Sequence, residues 1–158
     1  MKFQGKIKNN KIDRIIEIVC LTLLIGVTAY LIFNWGSIPD KIPVHYDWEG
    51  HIDRWGNKAE VMILPIMSWF LYLLITGLQQ VPLAWNTGVK ITEENEERVY
   101  RTLKYMIETL KLIVVADLSY MTINSLMGKS LSEWFTIIVL VAVFGDLIFW
   151  IVRLYQVK

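Results

Sequence analysis

Charged and apolar positions fall in blocks along the chain, and the apolar blocks have membrane length. Residues 18–39 carry no charged side chain, and the run IVCLTLLIGVTAYLIFNW within them crosses a hydrocarbon core of about 30 Å at about 1.5 Å per residue. Five basic residues precede this run, as in a signal peptide, but TAYLIFNWGS offers no small-x-small cleavage site, so it reads as a first span. VMILPIMSWFLYLLITGL, residues 61–78, is a second span with Pro65 in its first turns. LIVVADLSYMTINSLMG, residues 112–128, is interrupted by Asp117 and works only as the continuation of a longer helix. That helix starts near ITEENEERVYRTLKYMIETLK, with Thr92 as N-cap and Glu93 and Glu94 in the first turn, a water-exposed stalk leading into the membrane. WFTIIVLVAVFGDLIFWIV, residues 134–152, is a fourth span containing Asp146, and the short turn at residues 128–132 makes spans three and four antiparallel neighbours.

The pattern predicts an all-α, four-span transmembrane bundle forming a single integral membrane domain over residues 1–158, with spans at about 15–35, 61–80, 108–128 and 134–154. Composition agrees: 54% of the 158 residues are hydrophobic, too much apolar surface for a soluble domain this size. The formal net charge of +1 offers no basic excess for nucleic acid. Its placement is more informative. Lys2, Lys6, Lys8, Lys11, Arg14, the five basic residues between Lys90 and Lys111, Arg153 and Lys158 lie on one side; Lys41, Arg54, Lys58 and Lys129 lie on the other. The richer side is expected to be cytoplasmic, with both termini inside and residues 35–58 outside. Tryptophans fit these boundaries, with Trp35, Trp55 and Trp134 at the outer one and Trp85 and Trp150, beside Tyr155, at the inner one. Cys20, the single cysteine, sits in IEIVCLTLL and reads as an apolar filler.

The outer segment SIPDKIPVHYDWEGHIDRWGNK, residues 37–58, carries the chemistry. Pro39 and Pro43 favour extended entry, and a reversal at Glu49-Gly50 would fold the loop into a small hairpin. Read as one strand, His45, Asp47, Glu49, His51 and Asp53 share a face, which makes His45, His51 and Asp53 candidate metal ligands. A turn at Gly50 reverses the parity on which that face depends, so the expectation is a polar loop holding neither metal nor cofactor. Tyr46, Trp48 and Trp55 beside charged groups have the composition of a recognition surface.

IPDKIPVHYDWEGHIDRWGNK resembles the motif of a family of small bacterial membrane proteins, with Pro39, Ile42, Pro43, His45, Gly50, Asp53 and Lys58 at the matching positions between two spans. This domain of unknown function also forms the N-terminal part of SdpI-type immunity proteins, which protect bacteria from a secreted toxic peptide and relay its presence to a repressor. The resemblance covers about residues 15–75 and implies a bacterial plasma-membrane protein whose outer loop matters.

Ionisable groups inside the spans are functional candidates by default. Glu17 lies one turn after Arg14 and reads as its structural partner. Asp117 and Asp146, each about 10 Å from the cytoplasmic boundary at the helical rise, are expected at matching depth on adjacent helices, as interhelical hydrogen-bonding groups or as a proton or cation site. HExxH, GxSxG and Gly-rich phosphate motifs are missing from the sequence, and a hydrolase using His45 or His51 with Asp53 is the remaining enzymatic reading. The expected function is therefore a non-enzymatic accessory or immunity-like protein that binds a toxin peptide, lipid or membrane-protein partner through His45, Gly50, Asp53, Lys58, Pro43, Trp48 and Trp55. The alternative is a small transporter or ion-binding subunit using Asp117 and Asp146.

Overall fold

A computed structural model describes residues 7–158; Lys2 and Lys6, counted above for orientation, lie outside them. Helix α1, Lys11–Asn34, opens on a reciprocal cap: the Asn10 side chain accepts from the N–H groups of Ile12 and Asp13, while Asp13 accepts from the Asn10 N–H. After a 3-10 turn, Trp35–Ser37, strands β1 (Lys41–Tyr46) and β2 (Ile52–Asn57) form an antiparallel hairpin. A second reciprocal cap, Asn57 with Glu60, opens the 3-10 turn Lys58–Met62, which runs into α2, Ile63–Gln79. Pro65 sits in the first turn of α2, the part of a helix that best tolerates proline.

Helix α3, Glu96–Leu126, is a single 31-residue element, and α4, Phe135–Val157, returns beside it. Thr92 does cap, but four residues before the regular helix: its hydroxyl accepts from the Asn95 N–H and the Asn95 side chain accepts from the Thr92 N–H. Glu96 and Glu97, rather than Glu93 and Glu94, therefore occupy the first helical turn. The expected water-exposed stalk is packed instead. Val99 and Leu103 form a buried cluster with Leu154 of α4, covered by Trp85, Val89 and Ile91.

The chain is mostly helical, and three of its helical segments are long and apolar enough to cross a membrane: Lys11–Ser37, Lys58–Gln79 and Phe135–Val157. The fourth expected span, in α3, does not meet that measure, and the hairpin adds a small sheet to the expected all-α fold. The reason lies in the packing order. Helix α3 packs against α1, α2 and α4, whereas α1 and α2 touch each other little. A helix enclosed by others needs no apolar coat, and its enclosed positions include Lys104, Glu108, Lys111, Ser119, Thr122 and Ser125. The outer helices show the converse: on α4, Ile138, Val141, Phe144 and Ile148 are all more than half exposed. So large an apolar surface is unfavourable in water and suited to lipid. Ile16, Cys20, Leu24, Tyr72 and Val115 pack together midway, and Leu31, Ile38, Ile42, Val61 and Leu126 pack beneath the hairpin.

Candidate functional site

The hairpin's register explains where its functional groups point. Lys41 pairs with Asn57, Ile42 with Gly56 and Pro43 with Trp55, but the ladder slips on both sides of His45, which pairs with Arg54. These slips and the turn break the single face that simple alternation predicts. His45 Nδ1 lies 2.7 Å from Asp53 Oδ1. His51 joins a separate group, its Nδ1 3.4 Å from Asp47 Oδ2 and 3.5 Å from Glu49 Oε2. The candidate metal ligands His45, His51 and Asp53 are thus divided between two sets, and the ligand atoms that cluster are those of Asp47, Glu49 and His51.

Asp47 organises the turn. Its Oδ1 accepts from the N–H groups of Glu49 and His51, at 2.9 Å each, and its carbonyl accepts from Gly50 N–H. Slight desolvation opposes its ionisation, but those two N–H donors and the His51 ring hold its carboxyl below the usual carboxylate range. Gly50 takes φ +85°, and a Cβ there would lie 3.0 Å from Leu131 Cβ and from the carbonyls of Leu131 and Ser132. This close approach lets Leu131 N–H donate to Gly50 O at 2.9 Å, fastening the turn to the α3–α4 connection. Tyr46 OH donates to Lys129 O, and Ser125 Oγ donates to the buried Pro43 carbonyl at 2.5 Å. Burial pushes the Tyr46 phenol above its ordinary value. At the base, Lys58 Nζ lies 3.4 Å from Asp40 and over the Trp35 ring.

Between hairpin and helix ends lies a cleft of about 280 Å³, lined among others by His45, Tyr46, Arg54, Glu60, Met121 and Phe135. Trp48 and Trp55 stand clear of it, 73% and 54% exposed. Sequence reasoning placed Gly50 correctly and missed Gly56, where a Cβ would clash with Val44 and Glu60. It also missed Ser125 and Leu131, whose role depends on contacts across some 80 residues of chain.

The end of the bundle away from the hairpin holds a second polar assembly. Asp13 Oδ2 accepts from Lys104 Nζ at 2.7 Å and Arg101 at 3.2 Å, and Lys104 also lies 3.5 Å from Glu108. Glu17 does not pair with Arg14 but bonds to Lys111 Nζ, at 2.7 Å, and to Tyr72 OH. Lys111 completes its shell with Thr76 and Gln79. The spacing of Lys104, Glu108, Lys111, Val115, Ser119 and Thr122 is a helical stripe, and that periodicity is the signal by which these charges were findable.

The contacts between α3 and α4 place Asp117 and Asp146 at different levels. Trp150 on α4 stacks on Tyr105 and donates to Thr109 and to Asp146, while Phe135 stacks on Tyr120. This register sets Asp146 level with the helical turn after Thr109, about 5–10 Å along the bundle from Asp117 at the helical rise. Their expected matching depth assumed that Lys111 and Arg153 lie at one level; Arg153 instead lines a groove with Arg101 and Thr102.

Residues 18–68 match the model of a domain of unknown function, DUF1648, spanning most of α1, the hairpin and the start of α2. No curated protein and no solved structure matches the chain.

Proposed function

We propose that this chain is a four-span, non-enzymatic protein of the bacterial plasma membrane whose outward hairpin receives an extended peptide, free or part of another membrane protein. In this reading α3 is the fourth span, its polar stripe sheltered by three lipid-facing helices. Both termini are cytoplasmic, as the bias of basic residues suggests. The carrying observation is β2: among the described residues the sheet has two strands and no strand lies beside the far edge of β2, and Trp55 stands exposed on that strand. A peptide added to that edge would gain main-chain hydrogen bonds, with Trp48 and Trp55 as aromatic contacts. His45, Asp53 and Lys58 hold the hairpin in shape, and Gly50 permits its docking. An immunity-like role, with a toxin as the peptide, is the version suggested by the likeness to SdpI-type proteins.

The test is photocrosslinking in bacterial cells from a reactive residue placed at Trp48 or Trp55, with Phe33 as a lipid-facing control. The expected outcome is a defined peptide or protein adduct from the first two positions, lost in the His45→Ala/Asp53→Ala double variant. Adducts with lipid alone from all three positions would overturn the reading.

A further inference from the structure

At the end away from the hairpin, residues of α1, α2 and α3 line a cavity of about 1200 Å³. Asp13 and Glu108 both line it, and both side chains are more than nine-tenths buried. Among the described residues each keeps one buried oxygen, Asp13 Oδ1 and Glu108 Oε2, without a hydrogen-bond partner. The two carboxyl groups nevertheless flank one ammonium, with Lys104 Nζ 2.7 Å from Asp13 Oδ2 and 3.5 Å from Glu108 Oε1, which brings them close together. Two ionised carboxylates in that position would repel each other, and among the described residues neither oxygen has a donor to face.

We propose that Asp13 and Glu108 share one proton, forming a carboxyl–carboxylate pair that exchanges it with water through this cavity. A single proton removes one of two buried negative charges and supplies a donor where none is present. A metal cation is the poorer occupant, because the Lys104 ammonium already stands against both carboxyl groups. The other charged groups facing the site are Arg14 and Glu17 on α1, Arg101 and Lys111 on α3, and Lys8 ahead of α1. Helix α2 presents only neutral groups there, Thr76 and Gln79. Losing the proton would set two negative charges against each other across the α1–α3 contact, so the site couples proton binding to the fit between those helices.

The experiment is infrared difference spectroscopy of the full chain in lipid vesicles, between neutral and alkaline buffer. A protonated-carboxyl band is expected at neutral pH, lost at alkaline pH, and absent from both Glu108→Gln and Asp13→Asn. Glu108→Gln keeps a donor toward Asp13 and so preserves the contact; should it fail to fold, carboxyl-13C aspartate or glutamate in the unaltered chain must shift the band. A band unmoved by either label or either substitution overturns the proposal. So does a band abolished by sodium or potassium at constant pH, which would make the occupant a metal cation.

Discussion

Lys111 Nζ on α3 sits 2.7 Å from Glu17 Oε2 on α1, with the lysine side chain 1% and the glutamate 37% exposed, so the first and third helices are joined by an ion pair whose lysine is enclosed in the bundle. Tyr72 from α2 also bonds to Glu17 and carries the Lys111 ammonium over its ring, making this the point where three helices meet. A pair of this kind contributes little net stability when intact, yet removing one member leaves an uncompensated charge.

Lys111→Met should therefore lower stability by about 1–2 kcal/mol, less than for a fully buried pair because water reaches the stranded Glu17. The double change Lys111→Met/Glu17→Gln should recover much of that loss, because it removes the stranded charge as well. Thermal unfolding in detergent micelles measures both, and equal losses in the single and double variants would show that packing, not charge, dominates this site.

Gly50→Ala should undock the hairpin. The methyl group meets Leu131 and Ser132 at 3.0 Å, and the backbone is in the left-handed region, together costing about 1–3 kcal/mol. Limited trypsin digestion checks this: cleavage at Arg54 should quicken while cleavage at sites at the far end of the bundle is unchanged.

Ser125→Ala should cost about 1–3 kcal/mol by leaving the buried Pro43 carbonyl without its donor. Ser125→Thr keeps a hydroxyl and should lose less if its extra methyl is accommodated. Chemical unfolding followed by tryptophan fluorescence compares the two.

The hairpin turn should loosen in acid. Asp47 has a lowered folded value, so its stabilising contribution is complete above the ordinary carboxylate range, about pH 4, and is lost as pH falls through the lower folded value. Trp48 fluorescence should report this, and Asp47→Ala should abolish the acid transition. A transition that survives the substitution would assign it to another group.

Much of the architecture was legible because it is local. Four apolar or partly apolar blocks became four helices, and the Glu49-Gly50 reversal became the hairpin turn at positive φ. Asp117 and Asp146 misled because distance from a charged boundary gives depth only when those boundaries are level, and the stacking of Trp150 on Tyr105 sets a different register. Glu17 misled for a related reason: an i,i+3 neighbour is visible in sequence, whereas the side chain turned toward Lys111, 94 residues away.

By itself the sequence determined the helices, the membrane length of three of them, the cap at Thr92 and the turn at Gly50, because each depends on backbone preferences and on neighbours within a few residues. Only the tertiary structure decided that α3 is the central helix, that its lysines face acids on α1, and that Gly50 meets Leu131. Those outcomes depend on how each helix is rotated and slid against the next, which follows from filling the interior while satisfying every buried charge. That balance belongs to the whole bundle and to no single segment of it.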